Sequence, residues 1–143
     1  MAKDLRITDV VANAMMDAFH TAVGNEGILR IYAGALSAGA PATPAGALLA
    51  ELTMNVTSFG AAAASTAYSR VTAGAIADDE SANAAGDAGC FVLFDSAGTT
   101  AKMAGTVGTS GCDMTIDNVT IAAGAHVSCS ALTVDLPKGW ATA

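Results

Sequence analysis

The chain has 143 residues, of which 52% are hydrophobic and 13% charged, and its formal net charge is -7. Much of the hydrophobic share is alanine, so alanine, glycine, serine and threonine must cover most of the surface. This composition favours a subunit that buries part of its surface in an assembly. The six basic residues form no run, which disfavours direct binding to nucleic acid or to an anionic membrane.

The first predicted element is a helix over residues 9–23, capped by Thr8 or Asp9 and stopped by Gly24. Apolar residues recur at helical spacing on one face: Val10, Val11, Ala14, Met15, Ala18, Phe19, Ala22 and Val23. The polar residues fall on the other side: Asn13, Asp17 and His20. We expect the apolar stripe to lie across a sheet or against a neighbouring subunit.

Short strands separated by turn residues follow the helix. Apolar or alternating runs predict strands at residues 27–34, 48–54, 68–76, 113–117, 119–121 and 126–136. Within residues 126–136 the apolar positions switch from odd to even numbers near Ser130, which predicts a β-bulge in this strand. The segment 37–46 is predicted to be a loop, residues 55–65 an irregular connection anchored by Phe59, and Trp140 part of a short tail.

The core is predicted to form around a hairpin at residues 89–107. Two apolar runs flank Asp95–Gly98, whose residue types favour a turn. The four consecutive residues Phe91–Phe94 place large apolar groups on both faces of the first strand, which is typical of a central strand. We expect one core that contains Phe91, Leu93, Ile116, Ile121 and Val127.

About seven or eight short strands and one helix predict the fold class. We expect an all-β protein, an antiparallel β-sandwich or jelly roll with one N-terminal helix, formed as a single domain over residues 1–143. The N-terminus lacks the apolar region of a signal peptide, and no window is long and apolar enough to span a membrane. We therefore expect a protein made and kept soluble in a cytoplasm.

No catalytic, cofactor-binding or metal-binding residues are expected. An odd number of cysteines without CxxC spacing predicts buried thiols: Cys90, Cys112 and Cys129. The acidic segment 78–80 lacks the pattern of a calcium loop. His20 and His126 are interpreted as surface residues, and a hydrolase would need one of them beside a serine and a carboxylate.

Several segments together resemble small virion proteins of tailed bacteriophages: residues 13–18, 29–34, 46–52, 89–100, 105–108 and 119–124. The resemblance is to capsid cement, or decoration, proteins, including the jelly-roll cement protein of a short-tailed Bordetella phage. It implies a β-sandwich on the capsid exterior that ties capsomers together. It also implies the major capsid protein as partner, self-association as a homodimer, synthesis in the bacterial host cytoplasm and no enzymatic activity.

Contacts with such a partner are expected from loops and termini, because strands are committed to the core. The candidate contact residues are Met1, Lys3, Leu5, Pro41, Pro44 and Trp140. Trp140 could pack back on its own sandwich or anchor into a partner. The alternative function is a tail-fibre or receptor-binding module, which would need exposed aromatic residues for sugar stacking, and the chain offers Tyr32, Tyr68 and Trp140.

Overall fold

The computed structural model describes residues 4–38 and 44–141, the last two by their backbone alone. In these residues the chain forms one helix and twelve strands: β1 Asp4–Arg6, α1 Asp9–Val23, β2 Ile28–Ala33, β3 Leu48–Met54, β4 Ala63–Ala64, β5 Tyr68–Thr72, β6 Ile76–Ala77, β7 Gly86–Phe94, β8 Ala101–Gly108, β9 Met114–Thr115, β10 Thr120–Ile121, β11 Thr133–Pro137 and β12 Gly139–Ala141. The predicted helix is confirmed, with Thr8 as its N-cap and Gly24 as its C-cap. No helix in the described residues is long and apolar enough to cross a membrane.

The strands form three sheets. The largest has the order β6-β3-β2-β7-β8-β9, with β10 beside the first two residues of β7. A second sheet has the order β11-β5-β4, and β1 pairs with β12 in a two-stranded ribbon. Side chains from the two larger sheets share one hydrophobic cluster. The fold is therefore the predicted all-β sandwich with one helix.

The predicted hairpin is the centre of the large sheet. Strand β7 lies between β2 and β8, and its residues Cys90, Phe91, Val92 and Leu93 are at most 2% exposed. Each large side chain buried in this way contributes roughly 1.5–3 kcal/mol of hydrophobic stabilisation. The expected core members lie in or against one cluster: Phe91, Leu93, Ile121 and Val127 are buried, and Ile116 packs on its edge.

One strand pair departs from the antiparallel pattern. Strands β8 and β9 are parallel, with Val107 opposite Met114. The Asp113 carboxylate accepts hydrogen bonds from the backbone and the hydroxyl of Thr106, each at 2.8 Å. These bonds lower the pKa of Asp113. They also hold the loop between β8 and β9 against β8, so that β9 runs in the same direction as β8.

The predicted strand over residues 126–136 is only partly present. Strand β11 begins at Thr133, and the residues before it make a single bridge, between Val127 and Asp79. Asp79 follows strand β6 of the large sheet, whereas Thr133 pairs with Thr72 of the small sheet. The segment passes from one sheet to the other, so it cannot stay in one hydrogen-bonded ladder.

Both ends of the described chain are more regular than predicted. The N-terminal segment and the tail were expected to be separate and irregular, but Leu5 and Trp140 are opposite each other in the β1–β12 ribbon. Strands of three residues carry no readable alternation, because a period of two needs at least four or five positions to be recognised. Only the pairing of the two ends with each other makes them strands.

Candidate interaction surface

Helix α1 packs on the small sheet through one side. Ala12, Met16 and Val23 are at most 5% exposed. Phe19 is half-buried, and its ring centroid lies 5.5 Å from that of Phe59. This side fills the space between the helix and the strands beneath it.

Two polar side chains fix the rotation of the helix about its own axis. The buried hydroxyl of Ser69 donates a hydrogen bond to Oδ1 of Asn13 at 2.6 Å. The backbone N–H of Ala62 donates to Oδ1 of Asp17 at 2.8 Å. The prediction that Asn13, Asp17 and His20 lie on the solvent side is therefore wrong for the first two, and His20 is half-buried with Nδ1 shielded from solvent.

The other side of the helix faces solvent and carries no charge. Val10, Val11 and Met15 are 80%, 47% and 48% exposed. We call this surface the exposed helix face, and its members are Val10, Val11, Ala14, Met15, Ala18, Thr21 and Ala22. A solvent-facing helix side normally carries charged and polar residues, whereas an exposed apolar patch marks a site of interaction.

The terminal ribbon carries one exposed apolar side chain, on the strand that precedes the helix. Leu5 on β1 is 66% exposed. Its neighbours Asp4 and Arg6 form an ion pair at 2.8 Å, and the hydrogen bond and charge of Arg6 lower the pKa of Asp4. Leu5 thus stands as an isolated apolar side chain between two charges that neutralise each other.

Lys138 joins the ribbon to the body of the protein. Its carbonyl accepts from the Ile7 N–H at 2.8 Å, and its own N–H donates to the Ala67 carbonyl at 2.9 Å. The ammonium group is buried and contacts both the Asp9 carboxylate, at 2.5 Å, and the Ser65 carbonyl. These bonds place β1 directly before the N-terminus of α1.

The structure locates half of the predicted contact residues. Leu5 is exposed on β1, and Trp140 is a residue of β12. Pro44 forms a bridge with Leu36 and closes the base of its loop. The remaining three lie outside the described residues: Met1, Lys3 and Pro41.

Positive charge in the described chain is spread out and paired. Each lysine and arginine there lies within 2.5 to 3.9 Å of a carboxylate: Arg6 with Asp4, Arg30 with Glu51, Arg70 with Asp135, Lys102 with Asp95, and Lys138 with Asp9. The strong hydrogen bonds of the third pair raise the pKa of Arg70 and lower that of Asp135. The described basic residues therefore offer no cluster of unpaired cations.

His126 meets part of the requirement for a hydrolase. Its Nε2 lies 3.1 Å from Asp78 and 3.8 Å from Glu80. Ser128 lines the same pocket of about 280 Å³, but among the described residues it makes no hydrogen bond to His126. The imidazole is 52% exposed, so this arrangement is a surface contact between a histidine and two carboxylates.

The described residues hold no cluster of histidine, cysteine and carboxylate groups that could bind a metal ion. The three cysteines are free, and Cys90 and Cys129 are buried. Burial raises the pKa of both thiols and keeps them in the unreactive protonated form. Cys112 is half-buried and lies 2.9 Å from the Met114 carbonyl.

Comparisons with protein-family models, with curated proteins and with solved structures found no match. The class of the protein is therefore defined by its fold, an all-β sandwich with a single helix. Its distinguishing surface is the exposed helix face together with the terminal ribbon.

Proposed function

We propose that this chain is a structural protein of a tailed-bacteriophage virion. It acts as a cement, or decoration, protein that binds the exterior of the capsid and stabilises the capsomer lattice. Its partners are the major capsid protein and a second copy of itself. The segments that resemble cement proteins supply the assignment to the virion, and the structure supplies the surface that would make the contact.

The observation that carries the proposal is where the exposed apolar side chains lie. Five large hydrophobic side chains are exposed in the described chain, and four of them lie between residues 5 and 15: Leu5, Val10, Val11 and Met15. The fifth is Val56. A concentration of exposed apolar side chains in one short segment supports a role in protein–protein contact.

A cement protein works by mass action. Because it binds the assembled shell and not free capsid subunits, its binding free energy is added to the stability of the shell. Each contact can be weak, since it is repeated across the lattice. The terminal ribbon suits this role because Leu5 is exposed while Lys138 keeps the ribbon fixed to the body.

The tail-fibre alternative depends on aromatic side chains that can stack on sugars. Tyr32 and Tyr68 are both half-buried, and the guanidinium of Arg70 lies 4.7 Å from the ring centroid of Tyr68. Both rings are partly shielded from solvent and Arg70 covers that of Tyr68, which favours the capsid assignment over the fibre.

The test is to add the protein back to phage particles from which it has been removed. Wild type should bind, and binding should survive a rise from 0.1 to 0.5 M salt, because the contact is apolar and steering by the net charge is screened beyond about 10 Å. Leu5→Glu should weaken binding by at least about tenfold. Val56→Glu, which adds the same charge to an equally exposed site, should bind like wild type.

Trp140→Ala should also weaken binding, by about 2 kcal/mol if the side chain is an interface hot spot. Removal of residues 1–5 is a less specific change, because it also removes most of the strand that pairs with β12. Release at moderate salt, equal effects of Leu5→Glu and Val56→Glu, or a location on the tail by electron microscopy would each contradict the proposal.

A further inference from the structure

Helix α1 carries two apolar stripes with the same spacing. The buried stripe is Ala12, Met16, Phe19 and Val23, and the exposed stripe is Val11, Met15, Ala18 and Ala22. Both follow the spacing i, i+4, i+7, i+11, which keeps side chains on one side of a helix where they can pack on another element. The first stripe has its partner in the small sheet. The second has the same spacing and faces solvent, with Val11 and Met15 about half exposed.

The order of large and small residues in the exposed stripe is complementary to itself. Val11 and Met15 lie in the N-terminal half of the helix, and Ala18 and Ala22 lie in the C-terminal half. A two-fold axis at the midpoint of the stripe, between residues 16 and 17, places residue 11 of one copy opposite residue 22 of the other, and residue 15 opposite residue 18. Each large side chain then faces an alanine, as close packing requires. A parallel pair would instead set Met15 against Met15 and leave gaps between alanines.

The charges of the helix also suit a second copy. Two copies that each carry a net charge of -7 repel each other, so they can pack only where carboxylates are kept apart. The helix holds both of its carboxylates away from the exposed face, Asp9 against Lys138 and Asp17 against the Ala62 N–H. An antiparallel pair also places the N-terminus of each helix beside the C-terminus of the other, where the helix dipoles attract.

We infer that the exposed helix face is the dimer interface of this protein, where α1 of a second copy packs antiparallel across a two-fold axis. The inference deepens the self-association named in the proposed function, on which it rests, and it needs no contact with the capsid.

The size of the face sets the strength of the dimer. A helix of 15 residues is about 22 Å long, and with a width of about 10 Å its footprint is roughly 220 Å². Stable interfaces bury about 800 Å² on each partner. The dimer should therefore be weak in solution, with a dissociation constant between roughly 10 μM and 1 mM, and become populated where a lattice holds two copies side by side.

The first experiment measures the mass of the isolated protein by sedimentation equilibrium from about 10 μM to 1 mM, the range set by the area argument. Wild type should shift from monomer to dimer, and added salt should favour the dimer by screening the repulsion. Ala18→Glu should weaken dimerisation by at least about tenfold. Ala97→Glu makes the same substitution at an exposed position of the β7–β8 turn and should dimerise like wild type. Circular dichroism and melting curves establish that each variant is folded.

The second experiment tests the orientation of the helices. Met15→Lys and Ala18→Glu should each weaken the dimer by at least about tenfold when present alone, whereas an equimolar mixture should restore it, because residue 15 of one copy faces residue 18 of the other. The inference is overturned if wild type stays monomeric at about 1 mM, or if Ala18→Glu and Ala97→Glu behave alike. A mixture that stays monomeric overturns the antiparallel arrangement. Particle binding is measured separately, so dimerisation without capsid binding would refute the cement role and leave this inference standing.

Discussion

The two sides of helix α1 are alike in the spacing of their apolar residues and opposite in their surroundings. Each side carries an apolar stripe with one methionine and the same spacing, yet Met16 is 5% exposed and Met15 is 48% exposed. Their difference shows that apolar periodicity identifies a surface able to pack but does not say what packs on it. Here one stripe completes the core, and the other remains available to a partner.

Polar contacts and apolar burial together explain which stripe is buried. A rotation of the helix by about 100°, one residue, would bury Val11 and Met15 in place of Ala12 and Met16. It would also take Asn13 away from Ser69 and Asp17 away from the Ala62 N–H. Each buried polar group left without a partner costs about 1–3 kcal/mol. The rotation would also replace Phe19 and Val23 in the core with Ala18 and Ala22, so apolar burial and the hydrogen bonds favour the same rotation.

The largest expected effect comes from Met16→Ala. Removal of this buried side chain leaves a cavity against the small sheet and should lower the free energy of unfolding by about 3 kcal/mol. Met15→Ala removes the same atoms from the exposed stripe and should change it by less than about 0.5 kcal/mol. Urea denaturation of the two variants, at concentrations where the protein is monomeric, measures both values. Equal losses of unfolding free energy in the two variants would show that Met15 and Met16 do not differ in burial.

A smaller effect is expected from Asn13→Ala, which removes the acceptor of the Ser69 hydroxyl bond. The buried hydroxyl is then unpaired, and the free energy of unfolding should fall by about 2 kcal/mol. In the double variant Asn13→Ala with Ser69→Ala, both polar partners are absent, and part of that loss should be recovered. If the two losses simply add in denaturant titrations, the bond does not hold the helix in its rotation.

The smallest of the three effects is expected from Asp9→Asn at the start of the helix. This change removes the charge that pairs with the buried Lys138 ammonium and should cost about 1 kcal/mol, because the Asp9 side chain is itself 66% exposed. The matched control is Asp4→Asn, which breaks the fully exposed pair with Arg6 and should leave the melting temperature nearly unchanged. If Asp4→Asn lowered the melting temperature as much as Asp9→Asn does, the Asp9–Lys138 pair would stabilise the protein no more than an exposed ion pair.

The surface proposed for interaction could be predicted from the sequence only in part. Leu5 was expected to make contacts because it lies near a chain end, and the helix stripe was expected either to cover a sheet or to meet a neighbouring subunit. Which side of the helix covers the sheet depends in part on Ser69, Ala62 and Lys138, which lie about 45 to 129 residues from their helix partners. No local pattern around residues 9–23 contains that information.

Features that depend on neighbouring residues were determined by the sequence itself. The bounds of α1 follow from its cap, its glycine stop and its periodicity, and the central position of β7 follows from the unbroken apolar run Phe91–Phe94. Features that depend on distant partners were decided only by the tertiary structure. These are the pairing of Leu5 with Trp140, the passage of residues 126–132 between two sheets, and the rotation of the helix. The physical reason is that short strands and helix faces become stable only through hydrogen bonds and burial that remote parts of the chain provide.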